Sequence, residues 1–256
     1  MTEWIAGRRP VVEAIAAGRE ARRILLAPTV RPSPEVKRIL ADARRAAIPV
    51  EAADRDRLTR LAGFDGHQGI LLEVGPRRFA DPAEMLAGAL ARGRDPLIVI
   101  VDHLQDPANL GTLLRAADAA GVDGVVYPIR AAAPLTPATI KASAGASEHL
   151  RLAPVESLLP VVRELRGRGL RLVAADQGAA DVAWDVDLGG PLAVAVGSEG
   201  RGLAGPLRRQ CDLLVRFPMA GRVASLNAAT AGALLLFEVV RQRSAGRPLE
   251  SQAGPT

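Results

Sequence analysis

The stretch Leu97-Ile-Val-Ile-Val-Asp-His-Leu-Gln-Asp-Pro-Ala-Asn-Leu-Gly-Thr-Leu-Leu-Arg115 decides the fold class of this chain. Its first five residues are an unbroken apolar run, the composition of a strand buried on both faces. Asp102 ends the run, Pro107 fixes a turn, and Leu110, Leu113, Leu114 and Ala117 then recur at helical spacing until Gly121 stops the helix. Asn109 stands where a helix N-cap belongs. Strand, polar turn and helix form the repeating unit of an α/β sheet, whose ligands bind beyond the carboxyl ends of the strands.

The same alternation continues outward. Residues 124–127, 170–175, 192–196 and 213–217 read as strands, and 139–147, 158–168 and 225–243 as helices. Along the last helix Leu226, Ala229, Ala233, Phe237 and Val240 lie on one side, with Ser225 as its N-cap. Such alternation predicts a mainly parallel sheet with helices on both faces. Upstream, residues 10–17 read as a helix ended by Gly18, 23–27 as a strand, 35–47 as a helix, and 48–52 and 69–74 as strands around a short helix at 54–61. That is a small α/β unit with its own core. The expected organisation is a first domain at 1–75, a Pro-, Gly- and Arg-rich linker at 76–96 carrying a short helix, a second domain at 97–245, and a flexible tail at 246–256.

Composition sets the outer bounds. With 256 residues, 48% hydrophobic and 24% charged, the chain is globular. No apolar run reaches membrane-spanning length, and the N-terminus lacks the apolar core of a signal peptide. A single cysteine, Cys211, leaves no internal disulfide framework, so the expected compartment is the cytoplasm. Lysine occurs only at Lys37 and Lys141, so nearly all the positive charge behind the net +5 is arginine. Arginine forks suit phosphate, although a GC-rich genome produces the same bias.

Several chemistries fail on inventory. His67, His103 and His149 are far apart in sequence and none lies near Cys211, which argues against a metal site. There is no Walker lysine and no Gly-x-Ser-x-Gly elbow, and the glycines of 197–202 fall in the wrong order for a dinucleotide fingerprint.

Three polar segments remain, each following an apolar run: 102–115, 196–202 and 217–227. Each has two readings. Asn109 is a cap and Arg115 a solvated helix residue, or the pair lies at a phosphate-binding helix N-terminus. Gly197-Ser-Glu-Gly-Arg-Gly202 is a flexible loop bearing a surface carboxylate, or a backbone cradle with Glu199 as its one acid. Ser225 explains itself as a cap, whereas Asn227 inside a first helical turn is unexpected.

Taken together, these segments resemble the SPOUT-class 2′-O-ribose RNA methyltransferases, specifically the TrmH-like group. Asp106-Pro-x-Asn-Leu-Gly-x-x-x-Arg115-x-Ala-x-x-x-Gly121 is similar to the family's first motif, Gly197-x-Glu-Gly-x-Gly202 to its second, and Pro218-Met-x-Gly-x-Val-x-Ser-Leu-Asn227 to its third. Ile5-x-Gly-x-x-x-Val-x-Glu-Ala, His67-Gln-Gly-Ile70 and Lys141-x-Ser-x-Gly-Ala-x-Glu148 extend the likeness over nearly the whole chain. It is greatest to the bacterial members that methylate a guanosine ribose in 23S ribosomal RNA.

The resemblance implies an N-terminal L30e-like RNA-binding domain and a C-terminal SPOUT α/β domain with a trefoil knot, acting as a homodimer without metal or membrane. It implies S-adenosyl-L-methionine as cofactor, held near Ala174, Gly197, Phe217, Met219 and Leu226, with Arg115, Asn109, Glu199, Ser225 and Asn227 as catalytic residues. Phe217 stands where the family has an aliphatic residue, and Ala228-Ala229 replaces the usual Val-Ser. Alternatives are the same chemistry on tRNA or another rRNA loop, including a resistance role, or a non-catalytic RNA-binding assembly protein.

Overall fold

The computed structural model describes residues 2–130 and 132–244, so the expected tail at 246–256 lies outside the described residues. Two sheets organise the chain. The first is built from β1 (Glu3–Ala6), α1 (Arg8–Ala16), β2 (Ala21–Leu26), α2 (Pro34–Arg45), β3 (Val50–Ala52), α3 (Arg55–Ala62) and β4 (Ile70–Val74), with strand order β1-β4-β2-β3. Strand β4 runs antiparallel to both β1 and β2, and β2 pairs β3 in parallel. Alternation decides the faces. Ile24, Ile70 and Leu72 pack with Val11, Val36 and Ile39 of α1 and α2, while Leu25 and Leu71 pack with Leu58 of α3 on the other side.

The second unit continues with α4 (Pro82–Ala91), β5 (Leu97–Val101), α5 (Pro107–Ala119), β6 (Gly124–Pro128), α6 (Pro137–Ala142), β7 (Leu152–Val155), α7 (Leu158–Gly167), β8 (Arg171–Ala175), β9 (Asp181–Val182), β10 (Leu192–Val196), α8 (Gly205–Arg208), β11 (Leu213–Arg216) and α9 (Ala228–Ser244). Its seven strands lie in the order β7-β6-β5-β10-β8-β11-β9, and every pairing is parallel. Helices cover both faces. Leu97, Val99 and Val101 meet α5 and α9 on one side, and Ile98 and Ile100 meet α4, α7 and Leu207 of α8 on the other. The α/β class and the mainly parallel sheet expected from strand–helix alternation are therefore present. Because β10 lies between β5 and β8, the turns after these three strands share one end of the sheet.

Local differences from the expected elements have local causes. The helix expected at 139–147 ends as α6 at Ala142, because Ala144 and Gly145 take positive φ of 55° and 90°. Within the stretch read as a linker, Met85 and Leu86 of α4 belong to the core of the second unit, and Ala89 is also buried. Strand β1 has no counterpart among the expected elements, nor does β7. The last helix starts at Ala228, not Ser225, and Phe237 is 47% exposed, because its buried side runs through Ala229, Gly232, Leu235, Leu236 and Val239. The expected stripe is anchored on Leu226, which lies before the helix begins at Ala228, so it does not share the periodicity of the buried face.

Candidate active site

Asp106, not Asn109, caps α5: its carboxylate accepts from the backbone N–H groups of Ala108 (3.3 Å) and Asn109 (3.2 Å). Asn109 therefore lies in the first turn with its side chain released from capping. That side chain donates from Nδ2 to Glu199 Oε1 at 2.5 Å. Asn227 is the cap of α9, its Oδ1 accepting from Thr230 N–H at 3.1 Å. The cap fixes which way the Asn227 amide points, and its Nδ2 donates to Asn109 Oδ1 (2.9 Å) and to Glu199 Oε1. Three residues separated by up to 118 positions thus close into one hydrogen-bonded triangle at the starts of two helices.

The geometry leaves a defined remainder. Both Asn227 Nδ2 hydrogens are used, Asn109 Nδ2 keeps one, and Glu199 Oε2 has no partner among the described residues. The triangle offers one donor and one acceptor, the complement of a hydroxyl group.

Glu199 also forms part of the rim of a cavity of about 530 Å³ at the carboxyl ends of β8, β10 and β11. One wall is apolar, with Ala195, Leu214, Phe217, Leu226 and Ala231, and Ser198, Glu199 and Asn227 supply the polar side. The loop after β10 is closed by the reciprocal pair Ser198 N–H to Gly202 O (2.9 Å) and Gly202 N–H to Ser198 O (3.0 Å). Gly197 is obligatory in this arrangement, because a Cβ there would lie 2.2 Å from the Gly202 carbonyl carbon. The buried carboxylate of Asp102 accepts from Ala204 N–H at 2.7 Å and is bonded to the His103 ring, tying the far end of the loop to β5. At the cavity's other end Arg208 Nε donates to Asp176 Oδ2 at 2.8 Å, and that hydrogen bond holds the Asp176 carboxyl below its ordinary value. Arg201 and Arg216 also line the cavity, their guanidinium groups without a hydrogen-bond or ion-pair partner among the described residues. Burial pushes the Cys211 thiol up to about 11, which removes it as a nucleophile at neutral pH.

Of the cofactor residues expected from the sequence, Gly197, Phe217 and Leu226 line the cavity. Ala174 is fully buried in the sheet one residue before the lining Ala175, and Met219 is not in the cavity wall. Of the expected catalytic residues, Asn109, Glu199 and Asn227 meet, and Ser225 lines the cavity without capping a helix. Arg115 stands apart. Six residues beyond Asn109 on α5, it lies about 9 Å further along the axis and about 240° around it, exposed and without an ion-pair partner among the described residues. Asp176 and Arg208 carry no expectation in the sequence, and Asp102 is expected only as the polar residue that ends a strand. Their one sequence signal is a charged residue directly after, or facing, an apolar strand.

The two halves of the chain match two families. Residues 96–237 match the SpoU rRNA Methylase family, and residues 4–80 match the RNA 2'-O ribose methyltransferase substrate binding family. The chain belongs to the SpoU rRNA methylase family. Among its relatives is a putative TrmH family tRNA/rRNA methyltransferase of Bacillus subtilis, 33% identical over 94% of this chain and 96% of that protein. An uncharacterized tRNA/rRNA methyltransferase of Mycobacterium tuberculosis is 36% identical over 97% of this chain and 76% of that one. The SpoU methyltransferase AviRb of Streptomyces viridochromogenes, solved in complex with the cofactor AdoMet, superposes with a TM-score of 0.78 at 28% identity, covering 96% of this chain and 92% of that one. A solved RNA 2'-O ribose methyltransferase superposes at 0.76 with 29% identity, covering 94% and 89%. A SpoU-family chain with a substrate-binding unit ahead of its methylase unit is an RNA methyltransferase, and the triangle and cavity lie in its methylase unit.

Proposed function

We propose that the protein transfers a methyl group from S-adenosylmethionine to a ribose 2′-hydroxyl, with a guanosine of 23S ribosomal RNA as the target. The reading is carried by the Asn109–Glu199–Asn227 triangle, whose one spare donor and one spare acceptor suit an alcohol at the rim of a cavity. The residues present fit the cofactor. A volume of about 530 Å³ lies in the range of about 300–1,000 Å³ typical of small-molecule sites, the apolar wall suits a nucleoside, and the carboxylates of Glu199 and Asp176 suit a cation. When bound, the cofactor supplies an electrophilic methyl group.

The chain's own residues then have separable tasks. Glu199 Oε2 accepts the hydroxyl's hydrogen and the second Asn109 amide N–H donates to its oxygen, which aligns the attacking lone pair. Asn227 holds both partners in register through the cap of α9. Arg115 is always charged, so it acts as a phosphate clamp and a stabiliser of developing alkoxide charge, not as a base. Because α5 turns Arg115 away from its own triangle, we assign it to the site of a second copy in a homodimer. Exposed Leu234 and Phe237 on α9 give that pairing an apolar surface. The strand order, with β10 inserted between β5 and β8, supports the trefoil knot implied by the resemblance. The substrate-binding match at 4–80 supports a structured RNA target, met in the cytoplasm.

Arg115→Ala abolishes methyl transfer and leaves calorimetric S-adenosylmethionine binding intact. Mixing it with Glu199→Gln, itself inactive, restores part of the activity, since one mixed site keeps both groups. Normal turnover by Arg115→Ala removes its role, and a monomer in sedimentation removes the shared site.

A further inference from the structure

The chain has only seven aromatic side chains (two Trp, one Tyr, four Phe), and two of them meet beside the cavity. Trp184 and Phe217 have ring centroids 5.2 Å apart at an interplanar angle of 56°, within the range of favourable tilted aromatic pairs. Phe217 is 4% exposed and lines the cavity, whereas Trp184 is 48% exposed and lies outside it. The fully buried residues of this stretch are Ala183 and Leu188, and Trp184 between them is half-exposed.

Backbone support explains what Trp184 adds. Strand β11 is held on one side by β8 through three residue pairs, but on the other only by the two-residue β9. The last backbone contact is Ala183 N–H to Arg216 O at 3.0 Å. Phe217 is thus the final anchored residue before a largely exposed segment that returns to the cavity at Ser225, Leu226 and Asn227. The indole packs against the ring at the start of that segment.

We infer that Trp184 is a positioning residue for S-adenosylmethionine, acting through Phe217 to hold the apolar wall of the cavity against the bound nucleoside. The inference rests on the proposed cofactor. The ligand used is S-adenosylhomocysteine, the demethylated product, which binds without turning over. Calorimetry on the full-length protein gives about tenfold weaker binding for Trp184→Ala, and Trp184→Phe, which keeps an aromatic contact, stays within about threefold. In a Trp4→Phe background Trp184 is the only indole, and its emission shifts with a midpoint matching the calorimetric Kd. This second readout needs no change at Trp184, so it stands even where Trp184→Ala folds poorly. Unchanged affinity in a folded Trp184→Ala, or a silent Trp184 emission on saturation, overturns the inference while the cofactor assignment stands. Absence of binding by the unaltered protein overturns the cofactor assignment itself, and with it this role.

Discussion

Asn227 joins the cap of α9 to the carboxylate of Glu199 because its amide has two chemically distinct ends. The oxygen is committed to Thr230 N–H, so the nitrogen has only Asn109 and Glu199 to address. Substitutions separate the two tasks. Asn227→Ala loses about 1 kcal/mol of stability in denaturant unfolding with the cap, and methyl transfer falls with it. Asn227→Asp keeps a capping oxygen and sets a second carboxylate against Glu199, so it loses less stability than Ala while transfer still falls; an active Asn227→Asp would show that the triangle does not orient the hydroxyl. The sequence names all three members of this triangle but misassigns two caps. Asp106 and Asn109 are both good N-cap residues three positions apart, as are Ser225 and Asn227 at two, and only backbone geometry decides between them. Asn227, a poor residue for a first helical turn, is the sequence sign that the helix begins later, at Ala228.

At the scale of elements, the cavity depends on how closely the loop after β10 folds back on itself. Gly197 has no room for a Cβ against the Gly202 carbonyl, and a Cβ on Gly232 of α9 would lie 2.7 Å from Val196 Cγ2, so the helix lies directly on the strand that feeds the loop. Gly197→Ala therefore opens the loop and weakens S-adenosylhomocysteine binding at least tenfold by calorimetry; unchanged affinity would separate the loop from the cofactor site. Strands β5 and β10 were legible, because unbroken apolar runs of five residues between a proline and a charge or glycine are too short for a buried helix. Strand β7, Leu-Ala-Pro-Val, was not, since a proline is compatible only with an edge, and the edge is where the fold puts it. Trp184 was equally hidden, because a lone aromatic in a Gly- and Asp-rich stretch has no periodicity to reveal its partner.

At the scale of the whole molecule, the two sheets are joined by a buried charge network. Glu148, whose side chain is fully buried, is paired with Arg19 of the first unit (3.0 Å) and with Arg77, while Arg19 also bonds Glu3 at 2.8 Å. Ile140 of α6 completes the apolar core of the first unit, and His149 meets Glu13 at 3.1 Å. Glu148 is buried, so removing both of its guanidinium partners would leave an uncompensated buried charge and strongly destabilise the joint. The Lys141-x-Ser-x-Gly-Ala-x-Glu148 stretch, whose role its residues did not disclose, is this joint. It couples the segment matching the RNA substrate-binding family to the helix layer that carries Asn109, because α6 packs directly on α5.

The product of the reaction tests the central claim most directly. The protein is incubated with methyl-labelled S-adenosylmethionine and unmodified 23S ribosomal RNA, and the RNA is digested to nucleosides. Label in 2′-O-methylguanosine, absent with Glu199→Gln, is the predicted result. Label on a base, or label that persists in Glu199→Gln, would contradict a site built around a ribose hydroxyl.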